Sequence, residues 1–350
     1  MHTWLREHKW AWAVMLLVLV LFVAAMWRRE PMQETREEQP PEPQISFGIA
    51  GYSPAGFPNS SIEQAEAYWA DVNEYSSQLG VHVDWQDLNF LEVAAQKYKG
   101  DIVLVLGLQR PTEWLQSEQQ VLAKIFELLG KYPQIKYLGI GNEVNLLAEQ
   151  YEAEFPQFLE AYRLLYWETK RDFPQVKIFT TFQYEALKGE GYLMGNADVR
   201  EPQWELLEEI AGYYDMVGLT VYPYFDLAAP AQIPTNYFEP LLTKVTKPII
   251  VTETAWISQP SFPGELVALS DKGLTGSEEE QVEYLGYLQT LPVEKFPVVN
   301  WLLLHDPKDW SSRMTSLKPS DFTFASAALK NYDDSEKQIW EKWKSLFATR

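Results

Sequence analysis

From residue 45 onward, short apolar runs alternate with longer stretches of helical periodicity. Eight runs are apolar and rich in β-branched residues, which is typical of buried strands; they lie at 45–52, 81–85, 101–108, 136–142, 176–182, 216–222, 247–253 and 298–304. Between them, apolar residues recur at i, i+3 and i+4, as on one face of a helix. Eight strand–helix units over about 300 residues predict an α/β fold, a single (β/α)8 TIM barrel.

The alternative fold is an open doubly wound sheet. That fold would usually carry a glycine-rich phosphate-binding turn after its first strand. The segment GIAGYSPAGF at 48–57 lacks the G-x-G-x-x-G spacing. The sequence therefore favours the barrel.

An uncharged apolar run occupies residues 10–27, ahead of the first predicted strand. As a helix it would be roughly 27 Å long, close to the roughly 30 Å hydrocarbon core of a bilayer. We predict a transmembrane anchor within residues 1–29 that binds the lipid bilayer through 10–27. A cleaved signal peptide is the alternative, because the small residues at 23–25 form an acceptable cleavage site. The length of the run and the arginine pair at 28–29 favour the anchor.

Residues 30–44 are acidic and rich in proline, with almost no large apolar side chain. Such a segment cannot bury enough surface to fold, and we predict an extended tether. The predicted barrel domain then comprises residues 45–350.

Composition narrows the choice of partners. The formal net charge of −20 disfavours binding to nucleic acid, because an acidic surface repels phosphate. The chain has no cysteine, which excludes disulfides and thiolate-bound metal. Its four histidines, at positions 2, 8, 82 and 305, show no metal-ligand spacing, so we expect neither a metal nor a cofactor.

Two predicted strands end in a carboxylate. The fourth ends in GNEV, which contains Glu143, and the seventh ends in VTETAW, which contains Glu253. Active sites of this fold lie at the C-terminal ends of the strands, where an unpaired carboxylate after an apolar run is costly. Each glutamate could instead cap a helix or accept backbone N–H groups. Two carboxylates that face each other across one barrel mouth are, however, what glycoside cleavage requires.

The GNEV and TETAW motifs resemble the acid/base and nucleophile motifs of glycoside hydrolase clan A, which comprises retaining (β/α)8 glycosidases with glutamates on strands four and seven. The segment DMVGLTVYPYF at 215–225 resembles the tyrosine-bearing sixth strand of that clan. GNEV, VYPYF and TETAW together resemble family 17 β-1,3-glucanases. MVGLTVYPYF and VTETAW are similar to family 53 endo-β-1,4-galactanases. The resemblance extends over residues 45–347, although its motifs are short.

This resemblance implies an enzyme that cleaves a β-linked glycan, of the β-glucan or β-galactan type, by double displacement. It implies that Glu143 is the acid/base and Glu253 the nucleophile. It further implies that Asn142 hydrogen-bonds the sugar 2-hydroxyl and that Tyr222 donates its hydroxyl to Glu253. Trp301 would form an apolar platform beneath the sugar.

The remaining candidates rest on position near the mouth. Trp85 and Trp256 could stack on sugar rings, although core packing is the alternative in a chain with fourteen tryptophans. His305 could contact substrate hydroxyls, or form a structural pair with Asp306. The chain departs from the clan at the end of strand two, where many members carry arginine and this sequence has Asp84 and Trp85. Four more polar residues follow strands three and five: Gln109, Arg110, Gln183 and Glu185.

Three alternatives stay open beside hydrolysis of an oligo- or polysaccharide. They are transglycosylation on the same scaffold, a catalytically silent glycan-binding barrel at the cell surface, and unrelated chemistry that uses two rim glutamates. Charges on both sides of the predicted span leave its orientation open. We expect a single-pass membrane protein with the barrel outside the cytoplasm, because polymeric glycans are usually outside.

Overall fold

The computed structural model describes residues 44–52, 66–107, 111–189, 201–259, 276–307 and 324–348. All of these residues belong to one compact unit that extends from Gln44. The predicted anchor, and the predicted tether up to residue 43, lie outside the described residues. Within the described ranges, no helix has the length and apolar character that crossing a membrane requires.

The described residues form nine strands, each parallel to its neighbours. These are β1 Ser46–Tyr52, β2 Gln78–Asp84, β3 Asp101–Gly107, β4 Ile135–Ile140, β5 Lys177–Phe179, β6 Thr181–Gln183, β7 Val217–Val221, β8 Ile249–Thr254 and β9 Val298–Leu302. The helices are α1 Glu66–Glu74, α2 Asn89–Lys97, α3 Pro111–Lys131, α4 Val144–Gln150, α5 Phe155–Asp172, α6 Tyr184–Leu187, α7 Glu205–Glu209, α8 Glu239–Leu242, α9 Glu278–Gln289 and α10 Gln338–Ser345.

The strand order shows that the sheet curls into a barrel. It runs β5-β4-β3-β2-β1-β9-β8-β7-β6, so β5 and β6 are its two edges. These edges follow each other in the chain and are separated only by Thr180. They are two halves of the fifth predicted strand, one paired with β4 and the other with β7. Counted with these two halves as one strand, the structure has the eight strands of the predicted α/β barrel. The barrel is closed except for this break.

Alternating strand residues build two separate cores. On β3, Val103 and Val105 belong to a small apolar cluster that includes Phe179 and Ile250. The intervening residues of β3 belong instead to the large cluster shared with the helices. Because successive side chains on a strand point to opposite faces, the small cluster fills the cylinder and the large one joins it to the helix layer.

The helices present apolar faces to the barrel. On α5, Phe158, Tyr162, Leu165 and Thr169 are buried at intervals of three and four residues. At the start of α9, the Ser277 hydroxyl accepts a hydrogen bond from the N–H of the third helical residue, a capping contact typical of serine.

Candidate active site

Glu143 lies in the turn that joins β4 to α4. Two residues of this turn have left-handed backbone, Gly141 with φ 88° and Glu143 with φ 49°. Glycine accepts this conformation readily, and a Cβ at Gly141 would lie only 2.7 Å from a methyl carbon of Val144. For a glutamate the same conformation carries a strain of about 1–3 kcal/mol. The surrounding contacts must therefore hold Glu143 in place.

Two threonines provide those contacts. The Thr181 hydroxyl, on β6, accepts a hydrogen bond from the N–H of Glu143 at 2.7 Å and donates one to Asn142 Oδ1 at 2.8 Å. The Thr220 hydroxyl, on β7, donates to Glu143 Oε1 at 2.6 Å. Neighbouring strands thus fix both the backbone and the carboxyl group of Glu143.

Glu253 reaches the barrel interior because β8 contains a bulge. Leu219 pairs with Val251 but Thr220 pairs with Glu253, so Thr252 is an extra residue on β8. Its hydroxyl donates to the Leu219 carbonyl at 3.1 Å. Ile250 faces the interior, so uninterrupted alternation would turn Glu253 outward toward the helices. The bulge reverses that direction, as bulges beside active sites commonly do.

Each oxygen of the Glu253 carboxylate has its own neighbour. The Tyr222 hydroxyl donates to Oε2 at 2.7 Å, the contact expected from the sequence. His82 Nδ1, on β2, lies 2.9 Å from Oε1. The Glu253 side chain is buried. A hydrogen bond donated to a buried carboxylate stabilises its negative charge.

Thr220 brings the two glutamates together, since its hydroxyl binds Glu143 while its backbone pairs with Glu253. Burial raises the pKa of Glu143 to about 7; the negative charges of Glu253 and Glu185 add to this rise, and the Thr220 hydrogen bond opposes it. Glu143 is half-buried as a residue, whereas Glu253 is buried. Two carboxyl groups with unlike surroundings at one site suit an acid and a nucleophile.

The structure does not place Trp301 or Trp256 where a sugar could reach them. Both side chains are fully buried. Trp301 Nε1 donates to the Ala327 carbonyl at 2.8 Å, and its ring contacts Trp343 of α10. Trp256 Nε1 donates to Glu280 of α9 at 3.1 Å. The predicted sugar contacts are wrong for both, and Trp301 faces the helices because strand alternation turns its side chain away from the barrel interior.

Trp85 remains a candidate for substrate contact. It directly follows β2 at the mouth and is partly exposed. Its indole N–H is buried and, among the described residues, has no hydrogen-bond acceptor.

His305 contacts the outer layer of the barrel. Its Nε2 lies 2.8 Å from Asp334, and its ring lies 6.1 Å from that of Tyr68 on α1. The structural aspartate partner is therefore Asp334, whereas Asp306 forms a buried ion pair with Lys337 at 2.7 Å. These contacts do not involve either of the paired glutamates.

Sequence reasoning missed four residues of the site, and one of them is Thr181, described above. His82 pairs in register with Val105, which faces the interior, so strand alternation was the available signal. Thr220 is one of many threonines, and no feature of the sequence pattern marked it as a residue of the site. Phe324 is partly exposed, and its ring lies edge-on to that of Tyr222 at 4.8 Å. In the described part of the chain, no group of three or more potential metal ligands occurs.

No family model and no curated protein sequence matches this chain. Solved structures do match it. A GH2 β-galacturonidase from Eisenbergiella tayi has a TM-score of 0.53 at 15% identity, over 88% of this chain and 52% of that chain. β-Glucuronidase 2 from Bacteroides uniformis has a TM-score of 0.59 at 15% identity, over 87% of this chain and 35% of that chain. A putative β-galactosidase from Bacteroides fragilis has a TM-score of 0.56 at 13% identity, over 87% of this chain and 42% of that chain.

These similarities show a shared barrel fold. The chain spans about half or less of the length of each of the three proteins. None of the three is named as a family 17 or family 53 enzyme, so that finer part of the sequence resemblance has no counterpart among them.

Proposed function

We propose that this chain is a retaining glycosidase that cleaves a β-linked glycan, with Glu143 as acid/base and Glu253 as nucleophile. One observation carries the proposal: Glu143, in the turn after β4, and Glu253, on β8, meet at Thr220. Glu143 has a pKa of about 7, and Glu253 is bound to a tyrosine hydroxyl. The structurally similar proteins are named as β-glycosidases, which supports the same reaction type.

In the first step, protonated Glu143 gives its proton to the glycosidic oxygen as the bond to the anomeric carbon breaks. The Glu253 carboxylate attacks that carbon and forms a covalent glycosyl-enzyme. The hydroxyl of Tyr222 and the imidazole of His82 orient the attacking oxygens.

In the second step, Glu143 takes a proton from water, whose oxygen attacks the anomeric carbon and releases Glu253. Glu253 is esterified in the intermediate, so the negative charge that raises the pKa of Glu143 is absent. The pKa of Glu143 therefore falls, and the residue changes from acid to base. Two inversions leave the anomeric configuration unchanged.

The substrate class we propose is a β-glucan or β-galactan. It rests on the motif resemblance to families 17 and 53, and the similar fold of a putative β-galactosidase supports it. Asn142 and Trp85 are the residues we assign to substrate contact, with Asn142 held by Thr181. Transglycosylation follows the same steps with a sugar hydroxyl in place of water.

We also propose that residues 10–27 anchor the protein in a membrane with the barrel outside the cytoplasm. The length of the apolar run supports this placement. Carbonate-washed membranes are expected to retain the full-length protein, and an impermeant lysine reagent is expected to label the barrel in intact cells.

The catalytic proposal is tested with variants of both glutamates on aryl β-glycosides. Glu253→Gln is expected to lower turnover by roughly 10⁴-fold or more. Glu143→Gln should retain activity on substrates with an activated leaving group, and azide should raise it and yield a β-glycosyl azide. Glu279→Gln, an exposed change on α9, is the matched control and should retain full activity.

Covalent labelling gives a second readout. In one structure, Bacteroides uniformis β-glucuronidase 2 is covalently bound to cyclophellitol-6-carboxylate aziridine. A neutral cyclophellitol aziridine is expected to attach to Glu253, which peptide mass spectrometry would locate. Absence of labelling, together with no turnover on a panel of β-linked glucans, galactans and mannans, would favour the silent glycan-binding alternative.

A further inference from the structure

A third glutamate, Glu185, lies fully buried next to the proposed catalytic pair. It is the second residue of α6, directly after β6. Its Oε1 accepts a hydrogen bond from the Tyr237 hydroxyl at 2.6 Å, and its Oε2 accepts one from Gln183 Nε2 at 2.5 Å. Both oxygens lie 3.1 Å from the backbone N of Tyr222. Burial of a carboxylate is costly, and these hydrogen bonds offset part of that cost.

The contacts of Glu185 suit its ionised form. The N–H of Tyr222 can only donate, and the Gln183 amide is oriented as a donor because its oxygen accepts from the N–H of Ala186 at 2.7 Å. Burial raises the pKa of Glu185; the positive charge of Lys188, which lies over the Tyr237 ring at 4.1 Å, and the hydrogen bonds from Tyr237 and from the N–H of Tyr222 oppose that rise. Donors on both oxygens stabilise a negative charge at this buried position.

Glu185 and Glu253 hold the same tyrosine from opposite ends. Glu185 binds the backbone N–H of Tyr222, and Glu253 binds its hydroxyl at 2.7 Å. Tyr222 lies one residue beyond β7, where the sheet no longer fixes its main chain. The hydrogen bond from the N–H of Tyr222 to Glu185 fixes the main chain there instead.

We infer that Glu185 is a positioning residue for the proposed reaction: by fixing the main chain of Tyr222, it sets where the tyrosine hydroxyl meets the nucleophile Glu253. The inference rests on the proposed function. It assigns Glu185 no contact with the substrate, because the side chain is shielded from solvent.

The charge of Glu185 has a second effect on the site. It is one of the causes that raise the pKa of Glu143, after burial and the charge of Glu253. Other groups that face the catalytic pair are Tyr222 and His82 beside Glu253, and Thr220 and Thr181 beside Glu143. Removal of the Glu185 charge should therefore lower the pKa of Glu143, whether or not Glu185 also positions Tyr222.

The test uses Glu185→Gln, Tyr222→Phe and the double variant in the full chain, with aryl β-glycosides as substrates. Glu185→Gln is expected to lower kcat about 10- to 100-fold with little change in KM. The alkaline limb of its pH profile should move to lower pH. In the Tyr222→Phe background, the same change should lower kcat by less than about threefold, because the hydroxyl to be positioned is already missing.

Asp306→Asn is the matched control, since it also neutralises a buried carboxylate but lies in the Lys337 ion pair. It should lower thermal stability and leave kcat and the pH profile unchanged. Equal effects of Glu185→Gln on kcat in both backgrounds would overturn the inference.

A readout without substrate separates this inference from the proposed function. In protein labelled with ¹³C at the glutamate Cδ, the Glu253 signal is assigned with Glu253→Gln. Glu185→Gln and Tyr222→Phe are expected to shift this signal in the same direction. An unmoved signal in Glu185→Gln would refute the positioning role even in an active enzyme. A shifted signal in a protein that neither turns over nor accepts the aziridine would refute the proposed function alone.

Discussion

At the scale of single residues, the site depends on small polar side chains that support two acids. Thr181 holds the backbone of Glu143 and Thr220 holds its carboxyl group. Tyr222 and His82 occupy the two oxygens of Glu253. The acids therefore differ in surroundings although they share one mouth, and this difference should be visible in the pH dependence of the reaction.

The pKa of Glu143, raised to about 7 by burial and by Glu253, predicts the alkaline limit of activity. The first step needs protonated Glu143, so kcat/KM should fall about tenfold for each pH unit above that pKa. The check is a pH profile of kcat/KM with an aryl glycoside whose leaving group needs protonation. Activity that keeps rising beyond pH 8.5 would contradict the assignment of Glu143 as the acid.

At the scale of elements, strand ends and turns determine where these side chains point. The bulge at Thr252 turns Glu253 inward, and the left-handed backbone at Gly141 starts the turn that carries Glu143. Both features are local irregularities in otherwise regular strand–turn–helix units. A substitution that removes the bulge or the left-handed turn should displace Glu253 or Glu143, respectively.

Gly141→Ala tests the turn. Alanine would require left-handed backbone and bring its Cβ within 2.7 Å of Val144, so we expect a loss of about 1–3 kcal/mol in unfolding free energy. Activity should fall further than stability explains, because relief of the clash moves Glu143. Urea denaturation and kcat measured on the same preparation provide the check. Gly130→Ala on α3, where a Cβ would meet nothing within 4 Å, is the control and should lower neither value.

The ion pair between Asp306 and Lys337 joins the loop after β9 to the start of α10. Burial raises the pKa of Asp306 to about 6 and lowers that of Lys337, so each depends on the other to remain charged. Asp306→Asn is expected to cost about 3–5 kcal/mol, because it leaves a buried ammonium unpaired. Addition of Lys337→Met should recover much of this loss in a thermal unfolding series. An equal loss of unfolding free energy in the double variant would show that an unpaired Lys337 is not the cause of the loss in Asp306→Asn.

The sequence predicted the strands well because buried strands are apolar along their whole length. It also singled out Glu143 and Glu253, because charged residues at the ends of such runs are conspicuous, and the structure brings both beside Thr220. The side-chain direction of Trp301 was wrong, and the bulge at Thr252 was invisible, because a single extra residue leaves no trace in an apolar pattern. Glu185 appeared among the rim candidates, but its burial depends on Tyr237, which is distant in sequence.

At the scale of the whole molecule, the barrel is one unit whose core is formed by residues from Gln44 onward. Its interior and its helix layer are separate apolar clusters; the interior cluster includes residues of β3, β5, β8 and β9, and the other cluster extends from Ile45 to Trp343. Such a unit should fold without the first 43 residues.

A protein made from residues 44–350 is therefore expected to unfold in a single cooperative transition and to keep its activity on small soluble substrates. Circular dichroism during heating and kcat on an aryl glycoside are the measurements. A broad transition, or loss of activity without loss of the fold, would show that the preceding segment contributes to the barrel.

The break at Thr180 has a consequence for how the barrel fluctuates. The two halves that flank it are only three residues long each, and few backbone bonds tie them to β4 and β7. Short paired segments open at lower free energy than long ones, so amide hydrogens of residues 177–183 should exchange with deuterium before those of β2 and β3. Thr181, which supports Glu143, belongs to this segment. On warming, catalytic activity should therefore be lost at temperatures at which most of the barrel is still folded.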